Sequence, residues 1–196
     1  ADEGQGLERA ARMTEIAYEQ LPEEAAIADS MGWVRYKQGV IFDEHDAEGG
    51  TSREGAVTLL QRAAQLPEGQ EDPTIRDHLA DAQWLADRRD EAIRSWTVAR
   101  ALLETLGQTS GGLSEEGEAQ LAHIEQKIAD AEAGREPNVA DTVSPVNRPE
   151  PAPAPTPEPP LESADPDDAP DADPADNNPE NPTDRAPRSV NQHGRS

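Results

Sequence analysis

Proline is distributed so unevenly along this chain that it divides the sequence into two parts. Residues 137–196 contain 15 of the 18 prolines, no aromatic residue, and twelve acidic side chains against four basic ones. Such a segment cannot bury enough apolar surface to offset the entropy that is lost on ordering. We therefore expect residues 135–196 to form a disordered Pro/Asp/Glu-rich tail, serving as a spacer or solubilising segment. The structured part is then about 135 residues long, which is enough for several helices and a modest core.

The charge and the residue types exclude several classes of function. A formal net charge of −24 argues against binding to nucleic acid or to anionic membrane surfaces, and it favours a basic partner if any. The absence of cysteine excludes disulfides and thiolate metal sites. No apolar run approaches the roughly 18–20 residues of a membrane span, so we expect no direct membrane insertion. The start at Ala1 is expected for a processed protein or the C-terminal part of a longer one, and the compartment, cytoplasmic or periplasmic, stays open.

The structured part carries helix signals, and no stretch shows the strict alternation of a β-strand. Helix starts are predicted at Asp72-Pro73, at Ser114, and after a capping box over 51–54. Gly107 is predicted to stop one helix. The predicted helices cover 7–20, 23–39, a segment from 56 onward, 72–85, 90–106 and 114–133. This pattern predicts an all-α fold.

Small residues recur along these helices at matching intervals. The stretches "REGAVTLLQRAAQLP" and "RDEAIRSWTVARALL" align without a gap, so that Ala56, Leu60 and Ala63 fall on Ala92, Trp96 and Ala99. Alignment at a fixed period is the signature of a repeat protein, in which successive helix pairs stack. Trp96 then occupies a packing position.

These residues resemble the tetratricopeptide repeat (TPR) family, in particular the repeats that close long bacterial TPR proteins. The pairs Met31-Gly32 and Leu79-Ala80 match the first helix of a repeat, and the two aligned triads match the second helix. The resemblance implies an α-solenoid of antiparallel helix pairs. Its parts would be a half repeat (7–22), a first full repeat (23–67) with an insertion (43–53), a second full repeat (72–106), a linker (107–113) and a capping helix (114–134). Asp87 departs from the family, which usually has glycine at that turn.

A glycine inside the first helix of a repeat has a structural explanation. Antiparallel helices approach closely only where small side chains face each other. We therefore expect Gly32 to let its helix approach the following one near Ala56, as Ala80 would approach Ala92.

In TPR domains, the first helices of successive pairs line a concave groove that binds peptides. The resemblance thus implies a groove whose aromatic and acidic side chains suit a peptide with basic residues. An alternative is left open, namely that Trp33 and Trp84 only fill gaps between helices. Asp29 and Asp77 would repel a C-terminal carboxylate, so the chaperone-tail type of TPR domain is not expected. The implied groove residues are Asp29, Trp33, Tyr36, Lys37, Asp77, Asp81 and Trp84.

No motif points to a metal, a cofactor or catalysis. The acidic insertion fails the ligand spacing of an EF-hand, whether that loop begins at Asp43 or at Asp46, and we predict a solvated loop there. Asp77 and His78 are neighbours on a helix and point to different faces, so they form no dyad. The four histidines occur singly: His45, His78, His123 and His193.

The sequence therefore predicts a non-enzymatic scaffold or adaptor that binds a partner protein or peptide in its groove. Two alternatives stay open. The chain could be the segment that caps the solenoid of a larger exported or membrane-associated TPR protein, or an oligomerising structural piece without a ligand groove. Each of these implies a larger assembly.

Overall fold

The computed structural model describes residues 2–149, and within that range the side chains of residues 6–149. These residues are mostly helical, as the sequence predicts. The helices are α1 (Asp2–Gln20), α2 (Ala25–Lys37), α3 (Ala56–Gln65), α4 (Pro67–Gln70), α5 (Pro73–Leu85), α6 (Arg89–Ser110) and α7 (Glu115–Glu132).

Two helix starts have the capping residues that the sequence indicates. The Asp72 carboxylate accepts hydrogen bonds from the backbone N–H groups of Thr74 and Ile75, ahead of Pro73 at the first helical position. The Ser114 hydroxyl accepts one from the backbone N–H of Gly117. These bonds satisfy N–H groups that would otherwise lack a partner in the first turn.

The predicted end of α6 is wrong. Gly107 lies within the helix, which continues to Ser110 and ends at Gly111. Gly111 has φ = 78°, the left-handed conformation that glycine adopts without steric cost. Gly107 has φ in the ordinary range, and its missing side chain leaves room for Leu113 as the chain turns back.

The acidic insertion also differs from the prediction. Instead of an open loop, it forms a two-stranded antiparallel hairpin, β1 (Glu44–His45) with β2 (Thr51–Arg53). Asp46 closes the turn, since its carboxylate accepts hydrogen bonds from the backbone N–H groups of Glu48 and Gly50. The predicted capping box is therefore wrong, because its first three residues lie in β2 and α3 begins after Gly55 without a side-chain cap.

Each long helix packs against the next long helix in the chain. Contacts join α1 to α2, α2 to α3, α3 to α5, α5 to α6, and α6 to α7, while α2 also touches α5. The close approach expected at Gly32 is present. A Cβ atom at Gly32 would lie 2.6 Å from Cγ of Leu60 and 3.1 Å from its backbone nitrogen. The nearest residue is thus Leu60, one helical turn beyond the expected Ala56.

Two buried clusters hold the helices together. The first lies mainly among α2, α3 and α5 and contains Ala28, Tyr36, Leu60 and Ala63. The second joins α5, α6 and α7 around Trp96, which is fully buried as predicted. Ala80 and Ala92 both belong to this second cluster. The small residues singled out in the sequence therefore lie where helices meet.

Among the described residues, no helix has the length and apolar character needed to cross a membrane. Only the first part of the predicted tail falls within the described range. Residues 150–196 lie outside it, whereas residues 135–149 are described and contact the helices.

Candidate functional site

The seven side chains implied by the TPR resemblance lie on α2 and α5. Four belong to α2 and three to α5, two helices that are in contact. Their burial differs widely: Tyr36, Asp81 and Trp84 are at most 4% exposed, and the others are half-buried. We call this surface the α2/α5 face, formed by Asp29, Trp33, Tyr36, Lys37, Asp77, Asp81 and Trp84.

Three rings stack across the α2/α5 face. The Trp33 ring lies between Tyr36, with centroids 4.6 Å apart, and His78 of α5, with centroids 3.9 Å apart. Both pairs are within 15° of parallel. The Lys37 ammonium lies 5.2 Å from the centroid of the Trp33 ring. The stack joins α2 to α5, with a cation beside it.

The carboxylates of this face are paired within the chain. Asp29 lies 2.9 Å from Nδ1 of His78, which again joins α2 to α5. The ammonium of Lys127, on α7, lies 2.9 Å from Asp77 and 2.7 Å from Asp81. Because Lys127 is only 2% exposed, this triad of charges is buried and binds α7 to α5.

Asp81 is the most connected of these residues. Its carboxylate also accepts hydrogen bonds from the indole N–H of Trp96, at 3.1 Å, and from the backbone N–H of Ala140, at 3.3 Å. Burial raises the pKa of the Asp81 carboxyl, an effect that the Lys127 ammonium opposes and Asp77 increases. Asp81 of α5 thus bonds to side chains of both α6 and α7, and so holds the three helices together.

The chain itself covers the α2/α5 face. After α7, an irregular segment runs back over α5 and then α2. We call residues 136–148 the strap. Its side chains contribute to both clusters, with Val139 packed against the second, and Ala140 and Val146 against the first. Pro137 is buried as well.

Main-chain hydrogen bonds fix the position of the strap on α2. The Tyr36 hydroxyl donates to the carbonyl of Ala140 at 2.5 Å, and the Lys37 ammonium donates to the carbonyl of Asp141 at 2.8 Å. In return, the backbone N–H of Val143 donates to the carbonyl of Lys37 at 2.7 Å. Burial, with the nearby aspartates, raises the pKa of the Tyr36 hydroxyl, so Tyr36 stays a hydrogen-bond donor at ordinary pH.

Asn147 anchors the far part of the strap. Its side-chain oxygen accepts from the backbone N–H groups of Ile41 and Phe42, at 2.8 and 3.1 Å, and its amide donates to the carbonyl of Phe42 at 2.9 Å. Its own backbone N–H donates to the carbonyl of Gly39 at 2.9 Å. The side chain therefore pairs with the irregular backbone after α2 as a neighbouring strand would.

Gly39 permits this approach for two reasons. Its φ of +75° is a conformation that L side chains rarely adopt, and a Cβ there would lie 2.5 Å from the carbonyl oxygens of Ser144 and Pro145.

Side chains near each end of the strap add further contacts. Glu136 accepts a hydrogen bond from the indole N–H of Trp84 at 2.7 Å, and Arg148 forms an ion pair with Asp87. A small open pocket of about 350 Å³ lies where the strap meets α5 and α7, beside Trp33, His78 and Lys127.

A larger cleft of about 960 Å³ lies elsewhere, between α1, the hairpin and the start of α3. Its charged side chains pair across or along it, as Arg35 does with Glu15 and Arg12 with Glu8. Such pairs are typical of a salt-bridged surface, and we assign this cleft no ligand. Among the described side chains, those of residues 6–149, no group of three or more His, Asp or Glu is arranged to hold a metal ion.

Two features of this site were missed from the sequence. The pairing of His78 with Asp29 joins residues 49 positions apart, so the search for a dyad among neighbours could not find it. The strap was assigned to the disordered tail because its composition resembles that of residues 150–196. A usable signal was the cluster of Val139, Val143 and Val146, since the residues after 146 contain one further valine, Val190.

Comparisons with protein-family models, with curated proteins and with solved structures find no match for this chain.

Proposed function

We propose that this chain is a non-enzymatic interaction module of TPR type, which binds an extended segment of a partner protein on its α2/α5 face. The observation that carries the proposal is the strap, a non-helical segment held on that face by hydrogen bonds to its main chain. Recognition of an extended peptide through its main chain is a recurring mode of protein binding. The succession of helix contacts, each long helix on the next, is what a TPR solenoid requires and supports the same proposal.

The geometry bears on the chemistry of the partner. A basic peptide was expected because the face carries three aspartates, but Asp29, Asp77 and Asp81 are already paired with His78 and Lys127. Their charge is therefore less available to a ligand than the residue types imply. The groups that hold the strap instead are a phenol hydroxyl, an ammonium and main-chain amides. These suit an extended main chain more than a row of basic side chains.

Photo-crosslinking tests the proposal in the full-length protein. Trp33 is replaced by a photoreactive phenylalanine, which keeps an aromatic ring on the face, and Val98, 41% exposed on α6, is replaced in a matched control. In lysate of the source cells, we expect a crosslinked partner from position 33 that position 98 does not give. Identical partner products from both positions would contradict the proposal. Trp84 is unsuitable for this test because its removal from the core costs about 3–5 kcal/mol.

One observation favours a second candidate. Helix α1 exposes Met13 and Ile16 to 61% and 58%, and Leu21, directly after the helix, is 50% exposed. Such a surface fits a segment that caps a larger TPR protein, or one that oligomerises. Sedimentation velocity separates the oligomerising piece from the adaptor, because an adaptor of 21.1 kDa is expected to sediment as a monomer. A concentration-dependent dimer would favour the second candidate.

A further inference from the structure

We propose that the strap is an internal competitor, and that the α2/α5 face recognises a partner peptide through the same contacts that the strap makes. This inference rests on the proposed function and adds to it the chemistry of the ligand and its control by the chain itself. Its partner is an extended peptide that carries a small residue followed, seven positions later, by an asparagine, as Ala140 and Asn147 do.

The spacing follows from where the strap is held. Both backbone polar groups of Ala140 bond to the helices: its N–H donates to the Asp81 carboxylate, and its carbonyl accepts from the Tyr36 hydroxyl. Its methyl side chain is half-buried against the first buried cluster, so a larger side chain would have to displace this packing. The position therefore selects a small side chain.

The second requirement is a side-chain amide. Asn147 both accepts from N–H groups and donates to a carbonyl of the Ile41–Phe42 backbone. An aspartate lacks the donor and an alanine lacks both functions, so neither satisfies these backbone groups. Between the two anchors, the ligand contributes main-chain groups to Lys37, which are independent of its sequence.

Competition follows from the covalent connection. The strap begins four residues after the end of α7, so its local concentration at the face is in the millimolar range that short linkers give. A peptide with the same contacts then binds weakly as long as the strap is in place. Weakening the strap alone, with the face unchanged, is expected to open the site.

The experiment uses the full-length chain with changes confined to the strap. In the released variant, Ala140→Glu places a carboxylate beside Asp81 and Asn147→Ala removes the amide. In the matched control, Ser144→Glu and Asn138→Ala make the same kinds of change at exposed strap positions. The probe is a fluorescein-labelled peptide of residues 136–148, and a second probe carries the two changes of the released variant. Binding is measured by fluorescence anisotropy, and far-UV circular dichroism checks that the helices are intact.

We expect the released variant to bind the first probe at least about tenfold more tightly than the wild type or the control does. The second probe should bind at least about tenfold more weakly, and Tyr36→Phe in the released variant should weaken binding of the first probe. Equal affinity of all three chains for the probe, including no binding by any of them, would overturn the inference. That result would leave the proposed function standing if position 33 still crosslinks a partner, whereas loss of that crosslink would count against the proposed function itself.

Discussion

Gly32 shows how one atom sets the distance between two helices. Alanine is favoured over glycine by about 1 kcal/mol in a helix interior, so propensity alone predicts that Gly32→Ala stabilises α2. The structure predicts the opposite, because the new Cβ would lie 2.6 Å from Cγ of Leu60, whose side chain is fully buried, and 3.1 Å from the Leu60 backbone nitrogen.

We therefore expect Gly32→Ala to lower the free energy of unfolding by about 1–3 kcal/mol, the usual cost of overpacking. Urea unfolding followed by circular dichroism measures this. The matched control is Gly6→Ala in α1, where a Cβ would meet nothing within 4 Å, and which should leave stability unchanged or slightly higher. If Gly32→Ala proved as stable as wild type, the close contact of α2 with α3 would be refuted.

Asp87 is a second residue whose backbone is constrained. It has φ = 60°, the left-handed region, at the turn between α5 and α6. We expect Asp87→Gly to be more stable than Asp87→Ala by about 1 kcal/mol, since both remove the exposed ion pair with Arg148 and only glycine relieves the backbone. The order should reverse at Thr97, an exposed position within α6, where glycine is the poorer residue. Thermal melts of the four variants test both comparisons.

At the scale of elements, the docking of α7 depends on a buried group of charges. Lys127 lies between Asp77 and Asp81, and its removal would leave two carboxylates close together without a cation. We expect Lys127→Met to destabilise the chain by about 3–5 kcal/mol.

Asp81→Asn should recover part of that loss when it is combined with Lys127→Met, because the amide carries no charge and still accepts from Trp96. A double-mutant cycle measured by chemical unfolding is expected to give a coupling energy above about 1 kcal/mol. Strictly additive effects would mean that α7 is held by its apolar contacts alone.

The elements also show what sequence patterns can reach. Helix positions and two helix starts were predictable because capping residues and apolar periodicity are local signals, as at Asp72 and Ser114. The hairpin was not, since its two and three residues are too short for an alternating pattern to develop. The end of α6 was misplaced because the sequence does not distinguish Gly107 from Gly111. Only the backbone conformation does, since Gly111 has positive φ and Gly107 does not.

The candidate site was predictable to a smaller extent. The TPR resemblance implies a groove formed by seven residues, and the structure places these residues on two touching helices with three of them buried. Their partners were not predictable, because each pairing joins distant parts of the chain: Asp81 with Lys127 over 46 positions, and Tyr36 with Ala140 over 104. Such pairings depend on the three-dimensional course of the chain, on which local periodicity carries no information.

At the scale of the whole molecule, the strap changes how the module is expected to work. A face that is open in the free protein would bind a partner without competition. When the chain covers its own face, a partner binds only if its binding free energy exceeds the free energy lost with the strap's contacts. This lowers the partner's apparent affinity and favours ligands that match those contacts.

The most direct test of this central claim is amide hydrogen exchange in the full-length protein, read residue by residue by NMR. The N–H groups of Val143 and Asn147 donate to the carbonyls of Lys37 and Gly39, so we expect both to exchange at least about tenfold more slowly than in a free peptide of the same sequence. That protection should disappear in the Ala140→Glu/Asn147→Ala variant while the amides of α3 stay protected. Exchange of Val143 and Asn147 in the wild type at the rate of the free peptide would show that the strap does not occupy the α2/α5 face.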